Sequence, residues 1–180
     1  KRCDETGTML IFDEVQCGMG RTGHPFGANL YGVMPDMITT AKALGNGFPC
    51  SALLMSAKVS KAIKLDAMGT TFGGGPMACA VIEAVIEAIE SEDLLANVRR
   101  VSQYIRDTCI VGPVIGHQGA GFLTGLKTRV PAKQVQQALL AQDILTGTSG
   151  DPNVLRLLPP YVLKEADVDF LAAALARLTF

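Results

Sequence analysis

The chain has 180 residues, of which 48% are hydrophobic and 18% are charged, and its 16 Lys and Arg nearly balance its 17 Asp and Glu. This composition is typical of a globular protein and excludes a disordered chain. The net charge of −1 gives no electrostatic basis for binding nucleic acid or an anionic membrane surface. No apolar stretch reaches the roughly 18 residues that a bilayer span requires, and the first residues lack the apolar segment of a signal peptide.

Five cysteines are widely spaced along the chain, at positions 3, 17, 50, 79 and 109, and the two histidines are His24 and His117. Neither set has the spacing of metal ligands, so we expect no metal site. An odd number of cysteines in a chain without an export signal is typical of reduced thiols, which favours a cytoplasmic protein.

Short apolar runs bounded by glycine or proline predict three strands in the first half of the chain, at residues 8–14, 36–40 and 51–56. The first run is apolar on both faces, which is typical of a buried strand in a parallel sheet. Such a strand needs neighbours, and only a few polar residues precede it. We therefore expect the chain to be a piece of a larger protein.

Between the first two strands, residues 15–32 are rich in glycine and irregular in their apolar spacing. We expect a loop there, in which the His-Pro-Phe-Gly stretch at 24–27 does not begin a helix. Residues 76–91 predict a long helix, because Pro76 suits the first helical position and three glutamates form one polar stripe on an apolar cylinder. That helix is expected to be mostly buried.

The second half of the chain has a different texture. It predicts an amphipathic helix at 92–108, strands at 114–115 and 122–127, a helix at 131–141, strands at 144–148 and 154–158, and a final helix at 164–178. We place a boundary near residue 95, with an α/β piece over residues 1–95 and a smaller α+β domain over residues 96–180.

Two short stretches early in the chain match known nucleotide-binding signatures but lack the sequence context that those signatures require. Residues 18–23 read Gly-Met-Gly-Arg-Thr-Gly, which matches the dinucleotide-binding pattern, but that pattern must follow a strand directly and open a helix. Residues 9–14 resemble the acidic strand of an ATPase, yet the phosphate-binding loop that accompanies it does not occur in this sequence. We therefore expect neither a nicotinamide site nor an ATPase site.

Asp13 and Lys42 form a more informative pair. Asp13 ends the first predicted strand, where α/β sheets place ligands, and Lys42 follows the second, before a Gly-Asn-Gly turn. Each residue alone also fits an ordinary solvated charge. Apolar residues flank Lys42, and a desolvated amine is the type that acts as a nucleophile. A lysine that forms a Schiff base and a carboxylate that holds the ring nitrogen protonated are what a pyridoxal phosphate site requires.

Three segments, at residues 10–23, 35–49 and 69–80, resemble the signatures of class III pyridoxal-phosphate aminotransferases. The resemblance implies the fold type I (aspartate aminotransferase-like) architecture. It also implies that the chain is the carboxy-terminal half of such a protein. Residues 1–95 would be part of the large cofactor-binding domain, and residues 96–180 the small α+β domain.

The resemblance implies a role for each matched residue near the cofactor. Lys42 would form the Schiff base with pyridoxal phosphate, Asp13 would hold the ring nitrogen, and Gln16 would hydrogen-bond the ring's 3′ oxygen. Glu14 and Val15, which lie between Asp13 and Gln16, are assigned to the cofactor-binding segment as well. Read without the family, Gln16 is an ordinary polar loop residue.

Further residues are implied by the same resemblance. Thr71 would bind the cofactor phosphate from the other subunit of a homodimer, Thr70 beside it would contact the substrate, and Arg156 would bind a substrate carboxylate. Without the family, the threonine pair indicates a turn and Arg156 an exposed charge. One departure concerns Gly75, because the family commonly has asparagine there, and this puts local loop contacts in doubt.

Within the family, the wording of residues 16–23 is most similar to the acetylornithine branch. This implies transfer of the terminal amine of N2-acetylornithine to 2-oxoglutarate, giving N-acetylglutamate 5-semialdehyde and glutamate, a step of arginine biosynthesis. The succinylornithine, ornithine and 4-aminobutyrate branches remain alternatives, and so does a non-catalytic, dimer-forming fragment. The aminomutase branch is disfavoured because it usually has methionine where Gln16 stands.

Overall fold

A computed structural model describes all residues from Lys1 to Phe180 and divides them into two compact units. The first unit comprises Lys1–Gly20 and His24–Glu92, and the second comprises Arg21–Gly23 and Asp93–Phe180. The main division lies close to the boundary expected near residue 95. The assignment of Arg21–Gly23 to the second unit has no counterpart in the sequence pattern. None of the helices has the length and apolar character that crossing a membrane requires.

The first unit contains a three-stranded sheet of β1 (Ile11–Asp13), β2 (Met37–Thr40) and β3 (Ala52–Met55), in that order. β1 and β2 run parallel, whereas β3 pairs with β2 in the antiparallel direction. All three strands lie where the apolar runs predict them. Because the strands are short, the sheet is small.

The expectation of a buried first strand is wrong for this chain. β1 has three residues instead of seven, and its side chains alternate between exposed and half-buried, with Ile11 53% exposed. The physical reason is its position, because β1 is the edge strand and pairs with β2 alone. An apolar strand is buried only when other elements cover both of its faces.

Four helices and one short 3-10 helix accompany this sheet. They are α1 (Arg2–Thr6), α2 (Gly27–Tyr31), the 3-10 helix Lys42–Leu44, α3 (Ala57–Ser60) and α4 (Pro76–Ser91). α4 has the predicted bounds, but the expectation that it is mostly buried is wrong, since none of its residues is buried. It packs against the 3-10 helix, and much of its apolar surface, including Met77 and Ile86, is exposed.

The glycine-rich region also departs from expectation, because α2 begins at Gly27, within the stretch that was expected not to start a helix. Local sequence offers no good capping side chain, since Phe26 occupies the N-cap position. The first amides are instead satisfied by a carboxylate from elsewhere in the chain. Gly27 N and Ala28 N donate to the side chain of Glu14, at 2.5 and 2.8 Å.

The second unit is an antiparallel sheet with three helices. Its strands β4 (Val114–Ala120), β5 (Leu123–Thr128), β6 (Gly147–Thr148) and β7 (Val154–Leu157) lie in the order β4-β5-β7-β6. The helices are α5 (Leu94–Thr108), α6 (Ala132–Leu140) and α7 (Glu165–Ala176). Every element here was predicted, although β4 is longer than expected and β6 is shorter.

The core of the chain lies in this second unit. Phe122 and Leu126 from the β5 region pack with buried residues of all three helices, including Val101, Val135 and Leu175. Each fully buried side chain of this size contributes about 1.5–3 kcal/mol through removal of apolar surface from water. The second unit therefore has a large apolar core of its own, whereas the first unit buries only a few apolar side chains, among them Leu44 and Val59.

Candidate active site

Asp13 is the last residue of β1, and its side chain is exposed. Its carboxylate oxygen Oδ1 accepts a hydrogen bond from the backbone N–H of Val15, at 3.1 Å, and another from the hydroxyl of Thr39, at 3.3 Å. The other oxygen, Oδ2, accepts no hydrogen bond from the chain. The carboxylate is thus held at one oxygen and open at the other.

Lys42 begins the 3-10 helix that follows β2, after one intervening residue. Its φ of 46° lies in the left-handed region, which a non-glycine residue adopts at a cost of about 1–3 kcal/mol and which is concentrated at functional sites. The chain turns tightly after Lys42. A Cβ on Gly45 would lie 2.3 Å from the carbonyl oxygen of Phe48, so only glycine fits at that position. The side chain of Lys42 is exposed in this chain, which corrects the expectation of a desolvated amine.

The pairing of β1 with β2 brings these two residues to one edge of the sheet. The strands are parallel, and Asp13 is the register partner of Thr39, three positions before Lys42. Carboxyl ends of parallel strands meet at the same edge, where α/β sheets bind ligands. The structure therefore places Asp13 at the carboxyl end of β1 and Lys42 just beyond the carboxyl end of the adjacent parallel strand β2.

Glu14 has a different role from the one its neighbours suggest. Its side chain is only 2% exposed and accepts the two amides at the start of α2. A carboxylate occupied in this way is turned toward the protein and away from any ligand. It also lies 3.8 Å from Cys17 Sγ, and burial, together with the charge of Glu14, raises the pKa of that thiol.

The other residues of the cofactor-binding segment are placed simply. Val15 is half-buried and contributes its backbone N–H to Asp13, whereas the side chain of Gln16 is exposed in the turn and makes no hydrogen bond within the chain. The structure therefore leaves Gln16 free to contact a ligand, while Val15 acts through its main chain.

Thr70 and Thr71 lie in the exposed loop before α4, and neither hydroxyl makes a hydrogen bond within the chain. This loop leads directly into the helix that packs against the turn of Lys42. Gly75, where the family commonly has asparagine, is the N-cap of α4 and has an ordinary extended conformation with φ −60°. Because asparagine is a favourable N-cap, the departure removes a helix-capping side chain and leaves the loop backbone unstrained.

Arg156 lies in β7 of the second unit, and its side chain is exposed. Its cross-strand partners are both glycines, Gly125 in β5 and Gly147 in β6. A Cβ on Gly147 would lie 3.3 Å from the Nε atom of Arg156. The absence of neighbouring side chains keeps the guanidinium accessible, and it forms no ion pair within the chain. These flanking glycines are a signal that sequence reasoning missed.

The sequence pattern also gave no role to Arg21–Gly23, which pack within the second unit. The carbonyl of Arg21 accepts from Phe122 N, its guanidinium donates to the carbonyl of Pro159 at 2.5 Å, and it lies 4.6 Å above the ring of Tyr161. Burial raises the pKa of Tyr161, and the nearby Arg21 opposes that rise. Within the dinucleotide-like pattern at residues 18–23, Arg21 thus makes its contacts to other residues of the protein.

The donor set at the end of β1 and β2 fits pyridoxal phosphate. It offers a primary amine for a carbonyl carbon and a carboxylate with one uncommitted oxygen for a protonated ring nitrogen. Both side chains are exposed, so nothing within the first unit blocks access to them. No other lysine of this unit directly follows a strand of the parallel pair.

The chain is similar to known proteins along almost its whole length. The sequence profile of the family described as aminotransferase class-III matches residues 1–178. Acetylornithine aminotransferase 1 of Pseudomonas syringae pv. tomato is 40% identical over 178 residues, covering 94% of this chain and 44% of that protein. The acetylornithine/succinyldiaminopimelate aminotransferase of Photorhabdus laumondii subsp. laumondii is 39% identical, covering 92% of this chain and 43% of that protein.

Solved structures give the same result for the fold. Acetylornithine aminotransferase from Elizabethkingia anophelis matches with a TM-score of 0.87 and 27% identity, covering 97% of this chain and 46% of that one. The expectation of an α/β fold that forms part of a fold type I transferase is confirmed. The chain spans about half the length of the curated relatives it matches. It belongs to the aminotransferase class-III family.

Proposed function

We propose that this chain carries the lysine and the ring-nitrogen partner of a pyridoxal-phosphate-dependent aminotransferase. The observation that supports this most directly is the position of Asp13 and Lys42 at the carboxyl ends of the adjacent parallel strands β1 and β2. Bound pyridoxal phosphate supplies an electron sink and a carrier for the amino group. Lys42, through Nζ, and Asp13, through its open Oδ2, would hold the cofactor, with Gln16 as a further contact and Thr71 contributed by the partner subunit.

Lys42 also moves the proton in the proposed reaction. Its amine, once free, takes a proton from the substrate carbon that bears the amino group and later returns a proton as a general acid. The left-handed backbone at Lys42 and the tight turn at Gly45 determine the direction in which the lysine side chain projects from the 3-10 helix. The donors at Oδ1, Val15 N and the Thr39 hydroxyl, hold the Asp13 carboxylate in place beside the proposed position of the ring nitrogen.

We propose N2-acetylornithine as amino donor and 2-oxoglutarate as acceptor, giving N-acetylglutamate 5-semialdehyde and glutamate in arginine biosynthesis. The names of two similar curated relatives, each of which includes acetylornithine aminotransferase activity, support this choice. Ornithine aminotransferase of Toxoplasma gondii ME49 is also similar in structure, with a TM-score of 0.86 and 28% identity, so the ornithine branch is the second candidate. Thr70 and Arg156 are the proposed substrate contacts, the latter for a carboxylate.

The proposed active protein is a homodimer in which Thr71 binds the cofactor phosphate of the partner subunit. Two features of the first unit support contact with a second subunit. The hydroxyl of Thr71 is exposed and unpaired within its own chain, and α4 exposes apolar side chains along its length. All five cysteines are free, and we propose the cytoplasm as the compartment because reduced thiols persist there.

The cofactor assignment is tested on a polypeptide of the relatives' length that contains this sequence, called here the full-length form. It is loaded with pyridoxal phosphate, reduced with borohydride, digested and analysed by mass spectrometry. We expect the cofactor on the peptide that contains Lys42, and on no peptide of an unreduced control. Modification of a different lysine would overturn the assignment.

A substrate panel separates the candidate reactions. The full-length form is assayed with 2-oxoglutarate and each of N2-acetylornithine, N2-succinylornithine, ornithine and 4-aminobutyrate. We expect the highest kcat/KM with N2-acetylornithine. A higher value for ornithine would favour the second candidate, and no turnover with any of the four amines would contradict the proposed reaction.

The 180-residue chain expressed alone is expected not to transaminate. Its edge strand β1 is exposed and α4 has no buried residue, so the first unit presents apolar surface that favours self-association. The measurement is an assay of the purified chain with N2-acetylornithine, 2-oxoglutarate and pyridoxal phosphate, with its oligomeric state determined by light scattering. Clear turnover by a monomer would show that both this expectation and the partner role of Thr71 are wrong.

Arg156→Lys in the full-length form is expected to raise KM for glutamate and 2-oxoglutarate by roughly tenfold or more, with a smaller effect on kcat. A guanidinium binds a carboxylate through two parallel hydrogen bonds, whereas an ammonium acts as a point charge, and a tenfold change corresponds to about 1.4 kcal/mol. Arg177→Lys, at an exposed arginine that contacts Gln142, is the matched control. Unchanged KM values in Arg156→Lys would show that Arg156 is an exposed charge with no role in binding the substrate carboxylate.

A further inference from the structure

The two oxygens of the Asp13 carboxylate have different surroundings, and one side chain accounts for part of the difference. Oδ1 accepts hydrogen bonds from Val15 N and from the hydroxyl of Thr39, whereas Oδ2 accepts none. The Val15 bond spans two residues of the same turn. The Thr39 bond crosses from β2 to β1, so it is the contact that ties the carboxylate to the neighbouring strand.

The register of the sheet explains why Thr39, and not the threonine after it, reaches Asp13. Asp13 and Thr39 are register partners in the parallel β1–β2 pair. Successive side chains of a strand point to opposite faces of the sheet, so Thr40 points away from the carboxylate. The hydroxyl of Thr40 is buried and has no hydrogen-bond partner. Of these two adjacent threonines of one strand, only Thr39 contacts the carboxylate.

We propose that Thr39 is a positioning residue that holds the Asp13 carboxylate with Oδ2 directed outward for the ring nitrogen of the cofactor. This inference rests on the proposed function, since it needs Asp13 to be the ring-nitrogen partner. Asp13 is exposed at the end of an edge strand, so few other contacts restrict rotation of its side chain. Without the hydroxyl of Thr39, the carboxylate has only the Val15 amide to orient it.

Removal of the Thr39 hydroxyl is expected to weaken one contact of the cofactor, the one between the Asp13 carboxylate and the ring nitrogen. Removing the hydroxyl is expected to weaken pyridoxal phosphate binding roughly three- to tenfold, which is the usual effect of one net hydrogen bond of this type. The loss is specific for the ring nitrogen. The 1-deaza analogue of pyridoxal phosphate has carbon at that position and gains nothing from a correctly oriented carboxylate.

The experiment compares three variants of the full-length form with the unmodified protein. Thr39→Val removes the hydroxyl with little change in shape, Thr39→Ser keeps it, and Thr40→Val removes the unpartnered neighbour. Equilibrium dialysis of each apoprotein gives the dissociation constants for pyridoxal phosphate and for its 1-deaza analogue. We expect Thr39→Val to weaken the binding of pyridoxal phosphate but not of its 1-deaza analogue. Thr39→Ser is expected to bind pyridoxal phosphate as the unmodified protein does, and Thr40→Val to bind both ligands with unchanged dissociation constants.

Equal weakening of both ligands by Thr39→Val would overturn the proposal, because it would mean a general structural effect. Equal effects of Thr39→Val and Thr40→Val would also overturn it. Thermal unfolding of each apoprotein checks the fold, and Thr39→Ala replaces the valine variant if that variant does not fold. The unmodified protein tests the proposed function separately. If it binds both ligands equally well, the role of Asp13 itself is wrong, whereas a preference for pyridoxal phosphate that Thr39→Val leaves unchanged contradicts only the positioning role.

Discussion

Lys42→Ala in the full-length form is expected to reduce transamination to a trace while the protein remains folded. Loss of general acid–base catalysis alone costs about 10²–10⁴-fold in rate, and loss of the amine that holds the cofactor adds to it. The fold is expected to survive because the side chain is exposed, and alanine carries the same cost as lysine at a φ of 46°. The measurements are kcat with N2-acetylornithine and 2-oxoglutarate, and the absorbance of the bound cofactor.

Lys58→Ala is the matched control for this experiment, since Lys58 is an exposed lysine in α3 of the same unit. It is expected to leave turnover unchanged. Thermal unfolding of both variants distinguishes loss of the amine from loss of the fold. Substantial turnover by Lys42→Ala, or cofactor absorbance like that of the unmodified protein, would show that a different residue holds the cofactor.

Asp13→Asn is expected to lower kcat by several orders of magnitude and to have a much smaller effect on cofactor affinity. The amide oxygen still accepts from Val15 N and the Thr39 hydroxyl, so the local structure is preserved. The negative charge is lost, which leaves the ring nitrogen without a partner that keeps it protonated and weakens the electron sink. The contacts proposed for the phosphate are unaffected.

A second aspartate of the same sheet provides the control for this charge effect. Asp36 precedes β2 and accepts a hydrogen bond from Leu10 N at 2.8 Å through Oδ2. In Asp36→Asn the amide oxygen can still accept that bond, so turnover is expected to be close to normal. Near-normal turnover in Asp13→Asn as well would refute the role of Asp13.

Most elements of this protein were predictable from local patterns in the chain. α4 and α5 follow helical periodicity, and the strands of both sheets follow apolar runs bounded by glycine or proline. Such patterns depend on residues within a few positions of each other. Burial depends instead on contacts with residues that are distant in the sequence. The same patterns were therefore wrong about β1 and α4, whose apolar residues predict burial but are exposed or only half-buried in this chain.

The sequence by itself determined the identity of the key side chains and their order along the chain. Asp13 and Lys42 were recognisable because Asp13 lies at the end of one predicted strand and Lys42 follows the next, and parallel strands bring their carboxyl ends to one edge of the sheet. Only the tertiary structure decided how the surrounding residues are used. It turned Glu14 inward to cap α2, although this residue stands directly beside Asp13.

Pairing between distant segments decided the rest. The register of β1 and β2 selected Thr39, and not Thr40, as the partner of the carboxylate, and the order of β5, β7 and β6 placed a glycine on each side of Arg156. Shifting a strand by one residue moves every side chain to the opposite face. Register is set by the hydrogen bonds and packing of whole strands, so no local pattern around these residues contains it.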